Sequence, residues 1–144
     1  MKISPQAEIL LVEDSPTDVI LTQEAFKQNH VVNPLRVVID GVEAMQYLQL
    51  KQEKGAEHLP GLILLDLNLP RKSGREVLSE IKADPVLMAI PVVIFTTSNA
   101  EEDISKSYGL HANCFVTKPW DFGRFSEVVR SIYEFWFGTV SLPR

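Results

Sequence analysis

Pro60-Gly61-Leu62-Ile63-Leu64-Leu65-Asp66-Leu67-Asn68-Leu69-Pro70-Arg71-Lys72-Ser73-Gly74 is the stretch on which the fold turns. Leu62 to Leu65 are four apolar residues in a row, preceded by Pro-Gly and followed by one carboxylate. So short and unbroken a run predicts a strand buried on both faces, as in a parallel sheet, and not a helix. Asp66 then stands at the strand's C-terminal end, the edge where open α/β sheets place their chemistry. Asn68, Pro70 and Gly74 follow at turn spacing.

Outward from this stretch the same alternation repeats. Upstream, residues 1–8 form a polar lead, and Ile9 to Val12 is an apolar run that stops at Glu13-Asp14. Ser15-Pro16 predicts a helix start, with Ser15 as N-cap and Pro16 in the first helical position, running to about Asn29. Leu35 to Ile39 is a β-branched second strand. Asp40 with Glu43 predicts a capping box, and Lys51 to Leu59 reads as a polar connection. Downstream, Ser73 caps a helix carrying Val77, Leu78 and Ile81 and ending near Pro85. Val92 to Phe95 is a fourth strand leading into Thr96-Thr97-Ser98. Glu101, Glu102 and Asp103 crowd the next helix start, where the macrodipole favours negative charge. Asn113 to Thr117 is a fifth strand before Lys118-Pro119, and a last helix follows from Phe122. Five strands alternating with helices predict a doubly wound α/β domain, a five-stranded parallel sheet with five helices, covered on both faces. The expected organisation is one domain over residues 1–144, with a C-terminal tail at 138–144.

Composition agrees with a single soluble domain: 144 residues, 45% hydrophobic and 23% charged. A net charge of −5 without a basic stripe argues against nucleic acid. No apolar run is long enough for a membrane span or signal peptide, so a cytoplasmic location and no membrane partner are expected. Cys114 is the single cysteine, which rules out an intrachain disulfide, and its apolar surroundings predict a buried, inert thiol.

In a parallel sheet the predicted strand ends converge on one edge. Glu13, Asp14, Asp66, Thr96 and Lys118 all come there. Clustered carboxylates raise one another's pKa unless a cation is present, and an oxygen-only ligand set suits Mg²⁺. Lys118 adds a positive charge and Thr96 a hydroxyl. Together they predict a site for a phosphoryl group, with Asp66 as the nucleophilic carboxylate and Lys118 and the metal neutralising the phosphoryl oxygens.

The combination of Glu13-Asp14, Leu65-Asp66-Leu67-Asn68-Leu69-Pro70 with Gly74, Thr96, and Thr117-Lys118-Pro119 resembles the receiver domains of bacterial two-component response regulators. The resemblance spans about residues 8–135 and implies the flavodoxin-like strand order 2-1-3-4-5. It implies that Asp66 accepts a phosphoryl group from a histidine kinase. It implies Mg²⁺ held by Glu13, Asp14, Asp66 and the main-chain carbonyl of Asn68. It further implies that Lys118 pairs with the phosphoryl group, that Thr96 hydrogen-bonds to it, and that Phe115 is the aromatic switch partner of Thr96. A cis Lys118–Pro119 bond is also implied. Two positions depart from the pattern: Thr97 stands where the family commonly has a small residue, and Phe115 lacks a tyrosine hydroxyl. The ending, Ile132-Tyr133-Glu134-Phe135-Trp136-Phe137 followed by Thr139-Val140-Ser141-Leu142-Pro143, is similar to the small regulators paired with phytochrome-type histidine kinases. Light-dependent signalling is the function this implies.

The alternative is a Mg²⁺-dependent phosphohydrolase with an aspartyl-phosphate intermediate. That chemistry places an acid-base aspartate two residues beyond the nucleophile, where this chain has Asn68, so a signalling role and not an enzyme is expected. A dinucleotide-binding domain would need a Gly-rich turn after the first strand, and none is present. On the last helix, Phe122, Phe125, Val129, Ile132 and Trp136 keep the spacing of an inward face. Phe135 and Phe137 add apolar surface beyond it. A homodimer is therefore expected, with Phe135, Trp136 and Phe137 at its interface and the tail packed across it.

Overall fold

The computed structural model, which describes residues 6–97 and 101–139, forms the five apolar runs into strands: β1 (Ile9–Val12), β2 (Leu35–Val38), β3 (Leu62–Leu65), β4 (Val92–Thr96) and β5 (Cys114–Thr117). The helices are α1 (Pro16–Gln28), α2 (Gly41–Lys54), α3 (Gly74–Ala83), α4 (Glu101–Gly109) and α5 (Phe122–Glu134). All strand pairs are parallel, in the order β2-β1-β3-β4-β5. The expected doubly wound sheet is the observed one.

Alternation along the strands sorts their side chains into two cores. Leu10, Val12, Ile63, Leu65, Val92 and Ile94 face one way and pack with Ala44, Leu48, Val77, Leu78 and Ile81 of α2 and α3. Ile9, Leu11, Leu62, Leu64, Val93 and Phe95 face the other way and pack with Ala25, Phe26, Phe125, Val129 and Ile132 of α1 and α5. β1, β3 and β4 are therefore buried at every position, which is why they read as continuous apolar runs.

Helix starts follow their caps. Ser15, Asp40, Ser73 and Asp121 each accept a hydrogen bond from the backbone N–H three residues on. Asp40 also pairs with Arg71 at 3.1 Å, which ties the start of α2 to the loop after β3.

Several boundaries differ from expectation. The polar stretch from Lys51 is not all connection: α2 continues to Lys54, and a short 3-10 turn occupies Ala56–His58. Gln, Glu and Lys are good helix formers, and Gly55, at φ 124°, is what stops the helix. The lead is held from residue 7 onward, because Asn33 Nδ2 donates to the Ala7 carbonyl at 2.8 Å and Ala7 packs on the core. Residues 1–5 lie outside the described residues, as do Ser98 and the tail from Val140. Phe122 is exposed and does not join the inward face of α5, because it occupies the first helical position beyond the sheet edge. The Lys118–Pro119 bond is trans, and the described residues contain no cis peptide bond. Trans is the ground state of an X–Pro bond by about 0.5–1 kcal/mol.

Candidate functional site

Strand register brings the predicted residues together. Val12 pairs with Leu65, and Thr96 with Thr117. The ladder then runs one residue further: Asp66 N–H donates to the Val12 carbonyl at 3.1 Å, Glu13 N–H to Val38 at 3.0 Å, and Lys118 N–H to Thr96 at 2.7 Å. Glu13, Asp66 and Lys118 are thus each the first residue past a strand, on one edge of the sheet.

Asp66 is the centre. Its Oδ1 accepts from Thr96 Oγ1 at 2.8 Å and from the Asn68 backbone N–H at 3.2 Å. Its Oδ2 accepts from Lys118 Nζ at 3.0 Å. Lys118 Nζ also donates to Glu13 Oε1 and, at 2.9 Å, to Asp18 Oδ2. The ammonium lies 5.8 Å from the centre of the Phe95 ring, which is itself tilted against Phe125 with centroids 5.3 Å apart. The aromatic pair forms an apolar floor beneath the charges.

Electrostatics follow from this burial. Desolvation pushes the Glu13 carboxyl up to about 7, although Lys118 pulls the other way. Burial alone would raise Asp66 too, but the Lys118 charge and the Thr96, Lys118 and Asn68 hydrogen bonds outweigh it and hold Asp66 below the usual carboxylate range. Burial works against the Lys118 ammonium, and the surrounding carboxylates overcome it and raise its pKa. Asp66 and Lys118 are thereby kept as an ionised pair.

Glu13, Asp18 and Asp66 each offer an oxygen within 4.8 Å of the others. Lys118 is the one cationic side chain the described contacts place among these three acids, which leaves oxygen donors with negative charge to spare. Such a set fits a hard divalent cation. Asp14, expected in this set, is exposed at its edge, and Asn68 is exposed in the loop after β3. Asp18 is the functional candidate that sequence patterning missed. It sits at the third helical position of α1, where an acidic residue reads as ordinary helix capping.

The other expected residues are placed as follows. Thr96 is fully buried. Phe115 is half-buried against the core, and its N–H donates to the Tyr108 hydroxyl at 3.1 Å. Thr97 is exposed and lines a cleft of about 390 Å³ with Asp18, Lys118, Pro119 and Trp120. Cys114, expected to be buried, is only half-buried because β5 is the edge strand, and its desolvation raises the thiol pKa. Trp136, expected both on the inward stripe and at the interface, belongs to the stripe alone: it is 5% exposed and packs with Val129 and Ile132, because a residue four beyond Ile132 stays on the buried face. Phe135 is 46% exposed.

The model of the response regulator receiver domain matches residues 9–130. The chain belongs to the response regulator receiver family. Among its relatives, the response regulator Rcp1 of Synechocystis sp. is 48% identical over 140 residues, covering 97% of this chain and 95% of Rcp1. The Mn²⁺-bound form of Rcp1 superposes with a TM-score of 0.84 over 96% of this chain and 99% of that one. The phosphorylated cyanobacterial phytochrome response regulator RcpA, also 48% identical, superposes with a TM-score of 0.87 at the same coverage. A regulator in red light signalling of R. palustris, RPA3017, is 30% identical with a TM-score of 0.87 over 96% of this chain and 99% of that chain. This receiver domain is therefore a response regulator close to the phytochrome-associated ones. The phosphohydrolase alternative is not favoured. No helix among the described residues is long and apolar enough to cross a membrane.

Proposed function

We propose that this receiver domain accepts a phosphoryl group from a histidine kinase on Asp66 and relays a signal by a change of conformation. The supporting observation is the environment of Asp66: one ionised carboxylate at the end of the central strand, gripped by Lys118, Thr96 and the Asn68 N–H. An Asp66 oxygen attacks phosphorus, the phosphorus–nitrogen bond of phosphohistidine breaks, and the imidazole nitrogen leaves with the electron pair. Lys118 and Thr96 then hold the phosphoryl oxygens. Thr96 leaving the Asp66 carboxylate for the phosphoryl group would open space beside Phe115, which is the switch. Glu13, Asp14, Asp66 and the Asn68 carbonyl would hold Mg²⁺. Bound there, the cation supplies charge neutralisation for the incoming oxygens.

The kinase is proposed to be of the phytochrome type, and the protein to act in the cytoplasm. Likeness to RcpA along almost the whole of both chains supports this. Incubation with a phosphohistidine-bearing kinase, followed by mass spectrometry, is expected to place one added phosphate on Asp66. Chelation of divalent cations is expected to reduce that transfer to background. Transfer that proceeds undiminished in chelator would remove the metal from the proposal.

Assembly as a homodimer through the end of α5 belongs to the same proposal, now centred on the exposed Phe135, since Trp136 is spent on the core and Phe137 is half-buried against it, stacked on Tyr133. Sedimentation at tens of micromolar is expected to show a dimer that Phe135→Glu, Phe137→Glu converts to monomer. A wild type that sediments as a monomer, with and without a phosphoryl analogue, would exclude it.

A further inference from the structure

Lysine has three N–H donors, and in Lys118 each is committed to a different carboxylate: Glu13, Asp18 and Asp66. A phosphoryl group on Asp66 brings several acceptor oxygens to an ammonium with no donor left over, so binding a second of them, beyond the one that inherits the Asp66 bond, costs Lys118 another carboxylate. The three carboxylates are not equal candidates. The Glu13 side chain is 2% exposed, so no water can take the place of the lysine there and its oxygen would be left buried without a donor. The Asp66 bond passes to the phosphoryl group that Asp66 itself carries. The Asp18 side chain is 24% exposed and faces the cleft lined by Thr97 and Trp120, where water can replace the lysine.

Asp18 is free to fill this place for a local reason. An acid at the third helical position normally reaches back to the N-cap N–H. Here the Ser15 N–H donates to Glu13 Oε2 at 3.1 Å, while Ser15 Oγ accepts from the Asp18 N–H at 3.3 Å. The cap is closed without the Asp18 carboxylate, which turns to Lys118, one hundred residues away in sequence.

We propose that Asp18 is a placeholder for the phosphoryl group: it occupies the third donor of Lys118 in the unphosphorylated protein and yields it on phosphorylation. It is a positioning residue that weakens phosphoryl binding by competing for the lysine. The proposal rests on Asp66 as acceptor and Lys118 as its reader.

The test is a double-mutant cycle read by beryllofluoride, a phosphoryl analogue that binds an aspartate carboxylate, at saturating Mg²⁺. Tryptophan fluorescence follows binding, and thermal unfolding confirms that each variant is folded. Asp18→Ala is expected to bind beryllofluoride about two- to fivefold more tightly than wild type, the range of one partly exposed ion pair. Asp18→Asn, which keeps an uncharged acceptor, is expected to fall between the two. In a Lys118→Ala background the Asp18 substitutions are expected to change nothing. Equal or weaker binding by Asp18→Ala overturns the proposal, as does a gain that persists without Lys118. Failure of the wild type itself to bind the analogue would instead refute the acceptor site beneath it.

Discussion

Asp66→Asn is expected to abolish phosphoryl uptake, from a kinase or from a small-molecule donor, while leaving the fold intact. The amide keeps the shape of the side chain, and its oxygen can still accept from Thr96 or Lys118, so circular dichroism and the unfolding midpoint should stay near wild type. What is lost is the anionic nucleophile. Asn has no carboxylate to form the acyl phosphate, and no other described acid has equivalent support. Glu13 is buried and driven toward its neutral form, and Asp18 has a single charged partner and no oxyanion donors arranged around it in the described contacts. Full labelling of Asp66→Asn at wild-type stoichiometry would move the acceptor elsewhere and undo the assignment.

Gly74→Ala is expected to damage stability and the site together. A β-carbon on Gly74 would lie 2.1 Å from the Asp66 carbonyl oxygen and 2.7 Å from the Leu67 Cα, and both are backbone atoms. α3 begins at this residue, and its N–H donates to the Leu67 carbonyl at 3.0 Å, so the helix is pressed directly on the strand end that carries Asp66. Alanine in a helix gains up to about 1 kcal/mol over glycine. Overpacking against atoms that cannot rotate away costs about 1–3 kcal/mol, occasionally more. The clash wins, because relief requires moving either α3 or the Asp66 backbone. Urea denaturation is expected to show a net loss of about 1–2 kcal/mol, and the labelling rate is expected to fall with the displacement of Asp66. Gly109→Ala is the control, since a β-carbon there meets nothing within 4 Å. If both variants matched wild type in stability and labelling, the close approach of α3 to Asp66 would have no consequence.

The strands and the helix caps were legible because they rest on local rules. A strand covered on both faces has to be apolar throughout, so Leu62–Leu65 and Ile9–Val12 announce themselves. Caps act over three residues, so Ser15, Asp40 and Ser73 could be read directly. Parallel topology then sends every strand end to one edge, which was enough to group Glu13, Asp66, Thr96 and Lys118 before any coordinates. The end of α2 was not legible in the same way, since a polar helical turn at the surface has the composition of a loop.

Sequence by itself therefore determined the strands, their parallel sheet and the carboxylates, lysine and threonine that gather at its edge, because each depends on short-range pattern or on the sense of the strands. Tertiary structure alone decided how the charges are shared. Asp18 looks like an ordinary capping acid until α1 packs against α5 and Glu13 takes over the cap, and only then does its carboxylate meet Lys118. Trp136 suits an inward stripe and an exposed interface equally well in sequence, until the turn after α5 seats it on the core. Lys118 could be placed at the edge from its position after β5, but which acids divide its three donors is a matter of distances and burial between segments far apart in the chain, and those exist only once the sheet has closed around them.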